Sequence, residues 1–191
     1  MLFRDPRDVI VSLYFEVNKR SRKATKKERR GDVNLMDFVV GPRSRMSRMI
    51  SVLNDWRKAL KSHPDCLWIS YEDLRADTRG KFFQLLEHIG FDTINEDFAV
   101  KAIEFAEFEN MKKMEAEDRF KTNILRPGDP SDPDSYKVRR GEIGGYVRYF
   151  REEELIAVGN AAKLAYEGTK GAAQVNAGEI LICLDKYWIT K

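Results

Sequence analysis

The sequence predicts an α/β fold built on a small parallel sheet, and three observations carry that prediction. Short apolar runs at residues 1–3 and 66–69 read as buried strands. Longer segments of helical periodicity separate them, the alternation that lays helices against a parallel sheet. The length, 191 residues, is enough for one such domain with its own core and short for two. Residues 179–184 offer one more strand, so the sheet is expected to be small or to lack members.

Each element has a local cause. Met1 to Phe3 stop abruptly at Arg4-Asp5-Pro6, where Asp5 suits an N-cap and Pro6 the first helical position, with Asp8 in the first turn. A helix to about Phe15 is expected. The tract 19–30, KRSRKATKKERR, holds eight basic residues and one acid without apolar period, and reads as an exposed loop or frayed helix. Leu35, Met36, Phe38 and Val39 make a short helix ended by Gly41-Pro42. Met46, Met49, Ile50, Leu53, Trp56 and Leu60 form one stripe, which predicts an amphipathic helix over 43–61.

After the 66–69 strand, whose end presents Tyr71-Glu72-Asp73, Thr78 can cap a helix carrying Phe82, Phe83, Leu85, Leu86 and Ile89, closed by Gly90. Asn95 can cap another through Ile103 and Phe105 that runs into 108–114. Residues 126–134, RPGDPSDPD, are turn chemistry, and with Gly141, Gly144 and Gly145 they make a long loop of the sort that carries function. A helix over 152–166, a linker over 168–178 and the last strand complete the chain.

Composition narrows the functional classes. At 42% hydrophobic and 34% charged the chain belongs with folded domains rather than disordered ones. No apolar run reaches the roughly 18 residues that cross a bilayer, and the start lacks the apolar core of a secretory signal, so a cytoplasmic location is expected. Cys66 and Cys183 are too few for a disulfide framework or a zinc knuckle. A net charge of +3 and a basic tract without interleaved aromatics argue against nucleic acid as the partner.

Two groups of residues could hold an anion. Arg4 stands ahead of a helix N-terminus, and Ser12 lies two turns on with a donating hydroxyl; arginine, helix start and hydroxyl together make phosphate chemistry. Arg139-Arg140-Gly141 pairs two guanidinium groups with a glycine that lets backbone approach a ligand. From spacing alone, a surface ion pair and solvated loop charge explain the same residues. Tyr71 and Phe108 could cover a base or belong to the core.

The residues Arg4-Asp5-Pro6-Arg7-Asp8-Val9-Ile10-Val11-Ser12-Leu13-Tyr14 resemble the 3′-phosphate-binding segment of the sulfotransferases, enzymes that use 3′-phosphoadenosine 5′-phosphosulfate (PAPS). Further blocks follow in family order: Trp56 with His63-Pro64, Tyr71-Glu72-Asp73-Leu74, Phe108-Glu109-Asn110-Met111-Lys112-Lys113, and Arg139-Arg140-Gly141-Glu142-Ile143-Gly144. The resemblance runs over roughly residues 2–155. It implies a P-loop NTPase-like three-layer α/β fold, a domain over 1–167 and a tail over 168–191.

It also implies roles. Arg4 and Ser12 bind the 3′-phosphate of PAPS or of its product, adenosine 3′,5′-bisphosphate (PAP), while Arg139, Arg140 and the Gly141 backbone close over it. Tyr71 reaches the adenine side, Phe108 covers the base, and Met111 belongs to the same nucleotide-binding block. Ala106 stands where many relatives carry Thr or Ser, a lost polar contact worth about 0.5–1.5 kcal/mol.

The family's opening strand and P-loop-like turn, of the P-K-S-G-T-T-W kind, have no match here, and Gly168-Thr169-Lys170-Gly171 lies at the wrong end to replace them. The family's catalytic histidine has no match either, since His63 and His88 read as structural. The expectation is therefore a sulfotransferase domain incomplete at its N-terminus, its C-terminal two-thirds. It would carry the 3′-phosphate half of a machine that moves a sulfuryl group to a hydroxyl or amine acceptor. The alternative is a non-catalytic nucleotide- or polyanion-binding module, to which the basic tract would contribute. Residues 146–153 do not keep the family's short dimer motif, and an exposed sheet edge would invite self-association or a partner strand.

Overall fold

A computed structural model of the chain describes residues 1–20, 33–41, 44–63, 65–122 and 124–168, without the side chains of residues 57, 60, 61 and 164–168. The predicted strand over 179–184, the tail and most of the basic tract lie outside the described residues. Strand β1 (Leu2–Phe3) leads to α1 (Pro6–Phe15), which continues as a π-helical turn over Glu16–Arg20. Then come α2 (Leu35–Val40), α3 (Met46–Ser62), β2 (Ile69–Ser70), α4 (Tyr71–Ala76), α5 (Thr78–His88), α6 (Glu96–Phe105) and α7 (Phe108–Ala116). Two 3₁₀ turns, Pro133–Ser135 and Gly145–Tyr149, precede α8 (Glu152–Gly168).

The strands pair in parallel, Leu2 opposite Ile69 and Phe3 opposite Ser70, with the Phe3 and Trp68 rings 4.3 Å apart beside them. The expected strand over 66–69 shrinks to its last residue plus Ser70, and Tyr71 opens a helix rather than ending a strand. Ser70 causes this change: its side chain accepts the Asp73 N–H at 2.9 Å and caps α4. Leu2 is 59% exposed, against the buried strand expected.

The core lies between α1, α2, α3 and α8. Ile10, Val11, Val17, Phe38, Val39, Met46, Ile50, Phe150 and Val158 form one buried cluster there. The expected stripe on α3 is covered at Met46 and Ile50, but Trp56, farther along the helix, is 52% exposed. Periodicity identifies a helix face without saying how much of its length a neighbour covers.

Helix starts follow their caps. Asp5 accepts the Arg7 N–H at 2.8 Å and Pro6 fills the first helical position, as expected. Asn95 caps α6 through the Phe98 N–H. At α5 the cap is Asp77, which accepts the Gly80 N–H at 2.8 Å, while Thr78 donates back to the Leu74 carbonyl at 2.9 Å. The carboxylate one residue earlier displaces the hydroxyl that the pattern suggested. Helix α6 does not run into 108–114, because the chain breaks at Ala106-Glu107 before α7 begins.

Candidate functional site

Arg4 follows β1 and Tyr71 follows β2, so both stand at the carboxyl ends of parallel strands, where open α/β sheets place ligands. The strand ends are tied together by the Asp5 N–H, which donates to Glu72 Oε1 at 3.1 Å. Arg4 lies over the Tyr71 ring, 4.5 Å from its centroid. Its Nη2 donates to Asp8 Oδ2 at 2.9 Å and to the Glu142 carbonyl. Its Nε is buried and has no partner among the described residues.

From the far side of the sequence the Gly-rich loop comes in. The Tyr71 hydroxyl donates to the Gly141 carbonyl at 2.9 Å. Gly141 has φ +63°, and a Cβ there would lie 2.7 Å from the Phe108 ring. Only glycine allows the backbone to touch that aromatic face. Met111, one turn along α7 from Phe108, is half-buried on the same face. Arg4, Tyr71, Phe108 and Gly141, drawn from four separate segments, therefore share one locus.

Arg139 and Arg140 gather beside this locus, on a different platform. The Arg139 guanidinium lies 4.0 Å from the Phe15 ring centroid and donates to the Tyr149 hydroxyl and to Asp134 Oδ1, the latter at 3.3 Å. Arg140 is exposed, 5.6 Å from the Tyr149 ring centroid. Ser12 is exposed on α1, one turn after Asp8 and one before Phe15, hence on the face that meets the loop. The donors thus line up along α1: Arg4 at its N-terminal end, Ser12 on its exposed face, and Arg139, with Arg140 beside it, against Phe15 at its last residue. Three guanidinium groups, one of them with an unpartnered Nε, and a hydroxyl are the chemistry of an anion site, although Arg4 and Arg139 each also pair with a carboxylate, Asp8 and Asp134.

Three residues that organise the site were not singled out for it from sequence. Buried Asp8 accepts from Arg4, from the Gly144 N–H at 2.8 Å and from the Tyr146 N–H at 2.9 Å. Buried Glu115 accepts from the Lys137 N–H at 2.6 Å, the Val138 N–H at 2.7 Å and Arg20 Nη1 at 2.9 Å. Arg20 itself is a correction to the solvated tract, since its guanidinium also reaches Glu16 and the Ser135 and Ile124 carbonyls. The one available signal was spacing: Glu115 falls seven residues after Phe108 and four after Met111, on their face of the helix.

Charges around α1 are mutually adjusted. Burial opposes the Arg7 cation, but its hydrogen bonds to Asp5 hold the guanidinium above its ordinary value. Burial pushes the Tyr146 phenol up, with Arg7 pulling it down and Asp5 and Asp8 pushing it further up. His63 is exposed, and His88 Nε2 accepts the Leu67 N–H at 3.3 Å, beside the sheet rather than the site. Among the described residues no cluster of His, Cys, Asp or Glu is placed to hold a metal, and no helix is long and apolar enough to cross a membrane.

Comparisons with known proteins agree on one family. The family model described as sulfotransferase domain matches residues 1–169, past the roughly 2–155 over which the motifs run. Cytosolic sulfotransferase 17 of Arabidopsis thaliana is 25% identical over 178 residues, 88% of this chain and 49% of that protein. Cytosolic sulfotransferase 16 of the same plant is 24% identical over 178 residues, 88% of this chain and 50% of that protein. The chain spans about half the length of these curated relatives.

Among solved structures, retinol dehydratase in complex with androsterone and the inactive cofactor PAP is similar with a TM-score of 0.58 at 25% identity, over 86% of this chain and 46% of that one. A mouse sulfotransferase complexed with PAP has a TM-score of 0.60 at 20% identity, over 98% and 62%. The second likeness is one of fold. The architecture is the P-loop-like α/β fold of these enzymes, represented among the described residues by two paired strands and their helices.

Proposed function

The chain belongs to the sulfotransferase domain family, and from that premise we propose that it binds the 3′-phosphoadenosine end of PAPS and PAP. Arg4, Arg139 and Arg140 would hold the 3′-phosphate by charge-assisted hydrogen bonds, with Ser12 donating its hydroxyl and the Gly141 backbone lying close. Tyr71, Phe108 and Met111 would face the base. Ala106, exposed at the end of α6, leaves that side without a hydroxyl donor.

When bound, PAPS supplies the sulfuryl group whose transfer to a hydroxyl or amine acceptor is the proposed activity of the whole protein. This chain's residues hold and orient the nucleotide end of that reaction. By similarity to relatives named cytosolic, the protein would work in the cytoplasm. Its sheet edge would accept a further strand, from another segment or a second chain.

The convergence of Arg4, Tyr71, Phe108 and Gly141 from four segments is the observation that carries this reading. Calorimetric titration of the purified chain with PAP and with 5′-AMP tests it. The expected result is a clear preference for PAP that disappears in Arg4→Ala and Arg139→Ala. A folded chain that does not prefer PAP overturns the reading, and binding to heparin under the same conditions would then favour the polyanion-binding module.

A further inference from the structure

We propose that Glu115 is a positioning residue of the nucleotide site: it sets the Arg139–Gly141 loop against the Phe108 face of α7. The inference rests on the nucleotide reading above. Glu115 is 1% exposed and uses both carboxylate oxygens, Oε1 for the Lys137 N–H and Arg20, Oε2 for the Val138 N–H. Those amides belong to the two residues immediately before Arg139. A carboxylate removed from water is tolerated only when its partners are complete, so the Lys137–Val138 backbone has little freedom to move away.

The helix makes this a placement of the site rather than a distant brace. Phe108, Met111 and Glu115 recur at helical spacing on one face of α7. That face meets the loop twice, at Lys137–Val138 through the Glu115 carboxylate and at Gly141 through the Phe108 ring. Arg139 and Arg140 lie between those two contacts. Beyond them Asp8 holds the Gly144 and Tyr146 amides from α1. Glu115 thereby fixes the phosphate-side arginines relative to the base-side helix, and Asp8 fixes the loop relative to Arg4.

Arg20 completes the device. Only 6% of its side chain is exposed, and it ties Glu115 to the Ser135 and Ile124 carbonyls. A glutamine at 115 would keep the volume but turn one acceptor into a donor facing a backbone N–H, breaking one bond and opposing another donor.

Titration of the full chain with PAP and with 5′-AMP, together with amide exchange, tests this. In Glu115→Gln the affinity for PAP should fall about tenfold or more while 5′-AMP binding stays unchanged, since one charged hydrogen bond is worth about that factor. Exchange should speed up at residues 137–141 and stay slow at Gly144 and Tyr146. Glu117→Gln, an exposed acid on the turn that follows α7, should behave as wild type. Equal weakening of both ligands, or unchanged PAP binding in the folded variant, overturns the proposal. Glu115→Asp, which keeps the charge, carries the same readouts if the glutamine variant does not fold. If the wild-type chain shows no PAP preference, the nucleotide reading falls, and exchange alone decides: loss of protection confined to 137–141 supports the positioning role, and unchanged protection removes it.

Discussion

The half of the molecule built on α1, α2, α3 and α8 and the half built on α4 to α7 are held by different forces. In the first, a continuous cluster from Ile10 to Val158 is buried. In the second, Ala99 and Met114 are the buried hydrophobics among the described residues of α4–α7, while Phe98 is 71% exposed and Leu85, Ile89, Phe91 and Phe105 face water. What orders the second half is polar: the Ser70, Asp77 and Asn95 caps, and the Glu115 carboxylate. The candidate site straddles the boundary, with Arg4 and Ser12 on the apolar half and Phe108 and Met111 on the polar one. The Arg4–Ser12 flank of the site should therefore be the stiffer.

The largest test of this contrast is in the core. Ile10→Ala, which empties a fully buried position, should cost about 2–5 kcal/mol, whereas Phe98→Ala should stay within about 0.5 kcal/mol. Denaturant melts of both variants check the pair, and a comparable loss from Phe98→Ala would erase the distinction between the halves. Next comes the boundary itself. Gly141→Ala puts a Cβ against the Phe108 ring at a left-handed position and should cost about 1–3 kcal/mol by strain, with weaker PAP binding than wild type.

A cap gives a smaller change. Asp77→Ala should lower stability by about 1 kcal/mol and raise amide exchange in α5 while leaving α1 untouched. Spread of that exchange into α1 would mean the two halves unfold as one.

The smallest effect is electrostatic. Lys19 donates to Asp132 at 2.8 Å; that bond holds the Asp132 carboxyl below its usual range and the Lys19 ammonium above its own. The aspartate's contribution is present above its unfolded pKa of about 3.9 and is lost as pH falls through the lowered folded value. The lysine's is present below about 10.4 and is lost as pH rises through the raised one. Thermal melts of wild type and Lys19→Met should differ by a small constant between those limits and converge below pH 4. A difference that grows on acidification would contradict the pairing.

Much of this was legible in the chain itself. Asp5-Pro6, Asn95 and Gly41 mark helix ends because capping is settled by a few neighbouring residues, and the 46–53 stripe announces the helix that packs on the core. The motif blocks from Arg4 to Gly144 identified the family without any structure. The apolar run at 66–69 suggests a longer strand than forms, because Ser70 caps a helix that begins at Tyr71. Trp56 falls on the apolar stripe yet is 52% exposed, because periodicity names a face and not its cover.

What the sequence by itself determined is local: where helices begin and end, which residues are apolar in register, and which segments bear the marks of a sulfotransferase domain. What only the tertiary structure decided is which distant groups meet. Asp8 and Glu115 look like ordinary acids on helices, and Arg20 like one cation in a run of eight. Their importance comes from backbone amides more than twenty residues away for Glu115 and more than a hundred for Asp8. A buried carboxylate needs donors from every side, and only the folded chain determines which amides are near enough to supply them.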